Sequence, residues 1–112
     1  MIQAKELMVG NYLKTSDGIV VKIDALSIYH IWGSTKEYNP IPITEEWLFN
    51  FGFELINNDY WQSRNSELKL HWTVNKNKMI PEFSNQRLIT GYDFKYIHHL
   101  QNLYYLLTGE EL

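Results

Sequence analysis

Apolar and polar residues alternate along this chain with two different periods. From Glu67 to Val74 the period is two, with Leu68, Leu70, Trp72 and Val74 on one face and Lys69, His71 and Thr73 on the other. That pattern predicts a strand with one buried and one wet face, the usual state in an antiparallel sheet. Two shorter runs, Phe53 to Ile56 and Tyr60 to Ser63, flank Asn57-Asn58-Asp59 and predict a hairpin. Asn75-Lys76-Asn77 turns the chain once more, and Lys78 to Phe83 returns, with Pro81 favouring an edge position. Arg87 to Thr90 adds a last short strand. An antiparallel meander is expected.

After Asp93 the period lengthens. Ile97, Leu100, Leu103, Tyr104 and Leu107 recur at helical spacing with Tyr96 beside them, Asp93 as the expected cap and Gly109 as the stop. Glu110 and Glu111 fall beyond that stop, outside the negative end of the helix dipole. A shorter helix is expected after Thr44, which can cap it. Glu45 and Glu46 meet its positive end, Trp47, Leu48 and Phe51 turn inward, and Gly52 stops it.

The N-terminal part reads as β-structure. Val9 to Lys14 is extended, Ser16-Asp17-Gly18 supplies turn chemistry, and Ile19 to Ile23 is a β-branched run. Ala25 to Trp32 continues as a strand with apolar groups on both faces. Gly10-Asn11, a hairpin and a bent strand together resemble small SH3-like barrels. Asn39-Pro40-Ile41-Pro42 marks an internal joint, because each proline extends its predecessor and lacks a ladder donor. The expected fold is α+β in one domain of 112 residues. A β part (1–39) precedes a helix–meander–helix part (40–112), with the last helix packed on the sheet.

Composition adds rings and removes thiols. Eight Tyr, five Phe and four Trp are many for a small core, since each buried ring removes about 150–250 Å² from water. Some therefore stay at the surface, where aromatic side chains anchor contacts. The absence of cysteine excludes a disulfide framework, an iron–sulfur cluster, a Cys-based zinc site and a thiol nucleophile. No signal-type apolar stretch and no run near ~20 apolar residues is present, so a cytoplasmic protein without a membrane partner is expected. The net charge of −3 gives no reason to bind duplex DNA. Between Trp61 and Lys95, however, Arg64, Lys69, Lys76, Lys78, Arg87 and Lys95 face only Glu67, Glu82 and Asp93.

No residues spell out catalysis. His98 and His99 sit about 100° apart on their helix, and His30 and His71 lie on separate strands, so no metal-ligand spacing is visible. The serines sit in turns or strands without a nucleophile elbow. No glycine-rich loop precedes a helix. No catalytic residue, metal ligand or cofactor is therefore assigned. His98, Gln101, Asn102 and Tyr105 are placed together on the helix side away from the leucine stripe, as a strip suited to gripping a protein partner, either a host protein or a second copy. The alternative is single-stranded nucleic-acid binding by the basic meander, through Arg64, Lys69, Lys76, Lys78 and Arg87 with Tyr60, Trp61, Trp72 and Tyr92 for stacking. A third class, a small-ligand sponge or an enzyme, requires a pocket.

Pro40-Ile41-Pro42, Thr44-Glu45-Glu46-Trp47-Leu48, Phe51-Gly52-Phe53 and the run His98 to Leu112 carry a resemblance. Together they resemble a family of short uncharacterised proteins from Bacteroidetes-type bacteria and their phages and mobile elements. The likeness runs from Val9-Gly10-Asn11-Tyr12 to the Glu110-Glu111-Leu112 end, with 57–84 outside it. It implies a small accessory protein that acts by binding, and it implies no activity.

Overall fold

A computed structural model of the chain describes residues 7–24, 38–73, 77–90 and 93–112. The residues fall into two compact units. One comprises Met1–Pro42 with Tyr96–Glu111, and the other Ile43–Lys95. The chain thus leaves the first unit at the end of the proline-rich joint and re-enters it just before the last helix. Secondary structure is α+β, with a three-stranded sheet, a five-stranded antiparallel sheet and two helices among the described residues.

In the first unit, β1 (Tyr12–Thr15) is central, flanked by β2 (Val20–Lys22) and β3 (Tyr38–Asn39), both antiparallel to it. The β1–β2 turn forms as its sequence predicts. Gly18 has φ +83° and its N–H donates to the Thr15 carbonyl, while Thr15 Oγ1 accepts from Ile19 N. Leu7, Leu13, Ile23 and Tyr38 form the core of this sheet with Val21 packed against them. The expected strand from Ala25 to Trp32 lies outside the described residues. The terminal helix α2 (Ile97–Thr108) belongs to this unit and packs against β1.

In the second unit, α1 (Glu45–Asn50) begins at Thr44, whose Oγ1 accepts from Trp47 N at 3.3 Å. Leu48 is fully buried and Trp47 and Phe51 are half-buried, with ring centroids 5.5 Å apart. Gly52, at φ +85°, ends the turn that leads into the sheet. The meander runs β4 (Phe53–Ile56), β5 (Tyr60–Ser63), β6 (Leu68–Trp72), β7 (Met79–Phe83) and β8 (Gln86–Arg87), each strand beside the next. Phe53, Trp61, Leu68, Leu70 and Met79 bury one face of it, as the alternation requires.

Two asparagines turn the first hairpin. Asn57 and Asn58 have φ +53° and +56°, and Asp59 N donates to the Ile56 carbonyl at 2.9 Å. Two successive positive φ values at the centre of the turn are the primed geometry, which Asn-Gly satisfies better than Asn-Asn. Asn58→Gly is therefore expected to raise stability by a few tenths to about 1 kcal/mol. A urea midpoint unchanged or lower than wild type would contradict this.

Two expectations are corrected. Pro81 is not on an edge strand, because β7 lies between β6 and β8. Its missing donor faces β8, where Leu88 N donates to the Pro81 carbonyl but no return bond is possible. Opposite Leu70 on the β6 side, no donor is lost. Asp93 does not cap the last helix. The chain stays extended to Tyr96, whose side chain makes no cap bond, because three backbone bonds hold 94–97 in ladders. Met79 N donates to Phe94 O, Ile43 N to Lys95 O, and Ile97 N to Ile41 O. Gly109 ends the helix as expected, at φ +75°, with its N–H on the Tyr105 carbonyl at 2.8 Å.

Candidate interaction surface

The first turn of α2 is enclosed on every side. Ile97, His98, His99, Leu100 and Gln101 are all buried, and Tyr104 follows one turn later. A helix buried all round at one end is a core helix there, whatever the polarity of its residues. His98 (0 % exposed) and Gln101 (8 %) therefore do not form a solvent-facing strip with Asn102 and Tyr105, and the placement expected for these four is corrected. Tyr105 is 43 % exposed while Tyr104 is buried, so one of the adjacent tyrosines shows itself.

Gln101 and Asn102 are engaged inside the first unit. Gln101 Oε1 accepts from Tyr12 N at 2.8 Å and its Nε2 donates to the Gly10 carbonyl at 3.0 Å. One side-chain amide thus imitates a neighbouring strand for the backbone entering β1. Asn102 Oδ1 accepts from Asn11 Nδ2 at 2.8 Å, and Asn11 Oδ1 accepts from Met8 N at 2.8 Å. Asn11 is itself buried, so the chain of amides satisfies polar groups that water does not reach. His98 and His99 have ring centroids 4.4 Å apart, closer than their angular offset implies. Both lean back toward Tyr96, whose ring stacks on His98 at 5.9 Å and tilts against His99 at 5.3 Å.

The basic residues of the meander are mostly paired. Arg64 lies 3.8 Å from Glu54, Lys69 3.9 Å from Glu82, and Lys78 3.1 Å from Asp93. The Lys78 hydrogen bond and charge hold the Asp93 carboxyl below the usual carboxylate range. Arg87 is exposed on β8, and Lys76 lies outside the described residues. Trp61 and Trp72 share the Leu70 face of the sheet, and Trp61 is buried.

Strand register assembles the other face. Ile56 is opposite Tyr60, and His71 is opposite Ile80. The Tyr60 and His71 rings meet at 5.3 Å. These four residues make one half-buried row across β4 to β7. Beside it runs a second row. Glu54 is opposite Gln62, Gln62 opposite Lys69, Lys69 opposite Glu82, and Glu82 opposite Arg87. Directly opposed residues share a face, so acidic and basic groups alternate along this row. The Lys69 ammonium also sits 5.3 Å from the Tyr60 ring centroid. Alternation within β6 put Lys69 and His71 on the wet face, but Ile56, Tyr60 and Ile80 join them only through register.

Among the described residues no three His, Cys, Asp or Glu side chains come together as metal ligands, and no helix is long and apolar enough to cross a membrane. No family model, curated protein or solved structure matches the chain.

Proposed function

We propose that this chain is a non-catalytic binding protein whose contact surface for another protein is the half-exposed face of the five-stranded sheet. The observation that carries this reading is the apolar row Ile56, Tyr60, His71 and Ile80 set beside the mixed-charge row Glu54, Lys69, Glu82 and Arg87. Aliphatic and aromatic groups with a polar border are the usual anatomy of a protein contact. A polyanion needs a surplus of positive charge along its path. Here Lys69 is occupied by Glu82 and Tyr60, and Arg87 lies directly opposite the same Glu82, so the row carries no surplus of positive charge. Single-stranded nucleic acid is therefore the less supported partner. The likeness to phage- and mobile-element-associated proteins fits an accessory role of this kind.

Affinity capture from the producing cell, with wild type and the Ile56→Arg/Ile80→Arg variant side by side, tests the reading. A protein held by wild type and lost by a variant that still unfolds cooperatively is the expected result. Undiminished capture by that variant would sink the proposal. So would retention on single-stranded DNA at low salt that Lys78→Glu weakens, with no protein captured.

A further inference from the structure

We infer that this sheet face docks on the same face of a second copy of the chain, through a two-fold axis running between β6 and β7. The inference rests on the reading of that face as a protein contact and names its occupant. Lys69 and Glu82 are directly opposed on adjacent strands, 3.9 Å apart, each side chain 26 % exposed. Such a couple of opposite charges is its own electrostatic complement. A two-fold axis along the strands between them sets Lys69 of one copy over Glu82 of the other, and Glu82 over Lys69. This is an isologous contact, the commonest kind in homodimers.

The same rotation satisfies the neighbouring positions. Gln62 on β5 comes over Arg87 on β8, so its amide oxygen can accept from the guanidinium. His71 comes over Ile80, placing an imidazole ring on an aliphatic side chain. Tyr60 is carried toward the end of β8, just beyond which lies Ile89, 97 % exposed. An isoleucine so fully in water gains most from being covered. Four strands at ordinary spacing span roughly 20 Å, and strands of this length make the overlap on the order of 300 Å² per partner, smaller than the ~800 Å² per partner of stable complexes. The dimer is therefore weak, with a dissociation constant on the order of 100 μM.

Sedimentation equilibrium from about 10 μM to about 1 mM reads this directly. Wild type is expected to show a reversible monomer–dimer equilibrium. Lys69→Glu and Glu82→Lys are each expected to weaken it roughly tenfold or more. An equimolar mixture of the two variants should dimerise again, because one then carries two negative charges where the other carries two positive ones. The double variant Lys69→Glu/Glu82→Lys, with the couple reversed, should also regain self-association, and it serves where a single variant does not fold. A wild-type monomer throughout, single variants that dimerise like wild type, or no recovery in both the mixture and the double variant would each overturn the inference. If wild type is monomeric while Ile56→Arg/Ile80→Arg still loses a captured protein, the second copy is wrong and the contact surface stands.

Discussion

His98→Asp is expected to cost more than about 3 kcal/mol and to lower the unfolding midpoint of the unit of Met1–Pro42 and Tyr96–Glu111 by many degrees. Position 98 is the second residue of α2, since Tyr96 is its N-cap. On an exposed helix a carboxylate there would be favoured by the helix dipole, by roughly 0.3–1 kcal/mol. A solvent-facing position therefore predicts a neutral or stabilising change, and the observed burial predicts the opposite sign. His98 is fully enclosed, with the Tyr96 and His99 rings against it, so a carboxylate there would lose its water. With total stability near ~5–15 kcal/mol for a chain of this size, a loss of that order is a large share. Tyr105→Asp puts a carboxylate at a 43 % exposed site in the last turn of the same helix, where the dipole disfavours it by roughly 0.3–1 kcal/mol, and is expected to cost about 1–2 kcal/mol. Thermal unfolding of the two variants decides the matter. Similar midpoints for both would mean that position 98 is not enclosed.

The meander was legible because its signals are local. Period-two alternation placed Leu68 and Leu70 inward and Lys69 on the other side, and Asn57-Asn58-Asp59 marked the hairpin. The short helix was equally legible, since Thr44, Leu48 and Gly52 each act within one turn. What failed was the environment of α2. Its leucine stripe gave the helix but not the enclosure of its first turn, because that depends on groups distant in sequence. Gln101 bonds the backbone at Gly10 and Tyr12, and Asn102 bonds Asn11, about ninety residues away. Asp93 failed as a cap for a related reason. Phe94 and Lys95 take ladder bonds from Met79 and Ile43, and such bonds outweigh a capping preference of about 1 kcal/mol. The outward sheet face was half legible. Its composition follows from alternation in each strand, but which side chains adjoin follows from register, which the turn between β5 and β6 hides.

Gln101→Leu is expected to cost about 2–4 kcal/mol, although the two side chains are similar in volume. The change strips the acceptor from Tyr12 N–H and the donor from the Gly10 carbonyl. Both groups then sit under α2 with little water, and each orphaned backbone group costs about 1–3 kcal/mol. Gln101→Glu separates the two bonds. One carboxylate oxygen keeps the bond from Tyr12 N–H, while the other is forced against the Gly10 carbonyl, where two acceptors repel. Protonation removes the repulsion, because the acid O–H can donate to that carbonyl. The folded-state pKa of the introduced carboxyl is thus raised above its unfolded value of ~4.3. The penalty is full at neutral pH and shrinks as pH falls through the folded pKa toward ~4.3. Urea midpoints for wild type, Gln101→Leu and Gln101→Glu at neutral and mildly acidic pH measure both effects. If Gln101→Leu stays within about 0.5 kcal/mol of wild type, then water reaches the backbone of Gly10 and Tyr12 and the amide is not what holds α2 against β1.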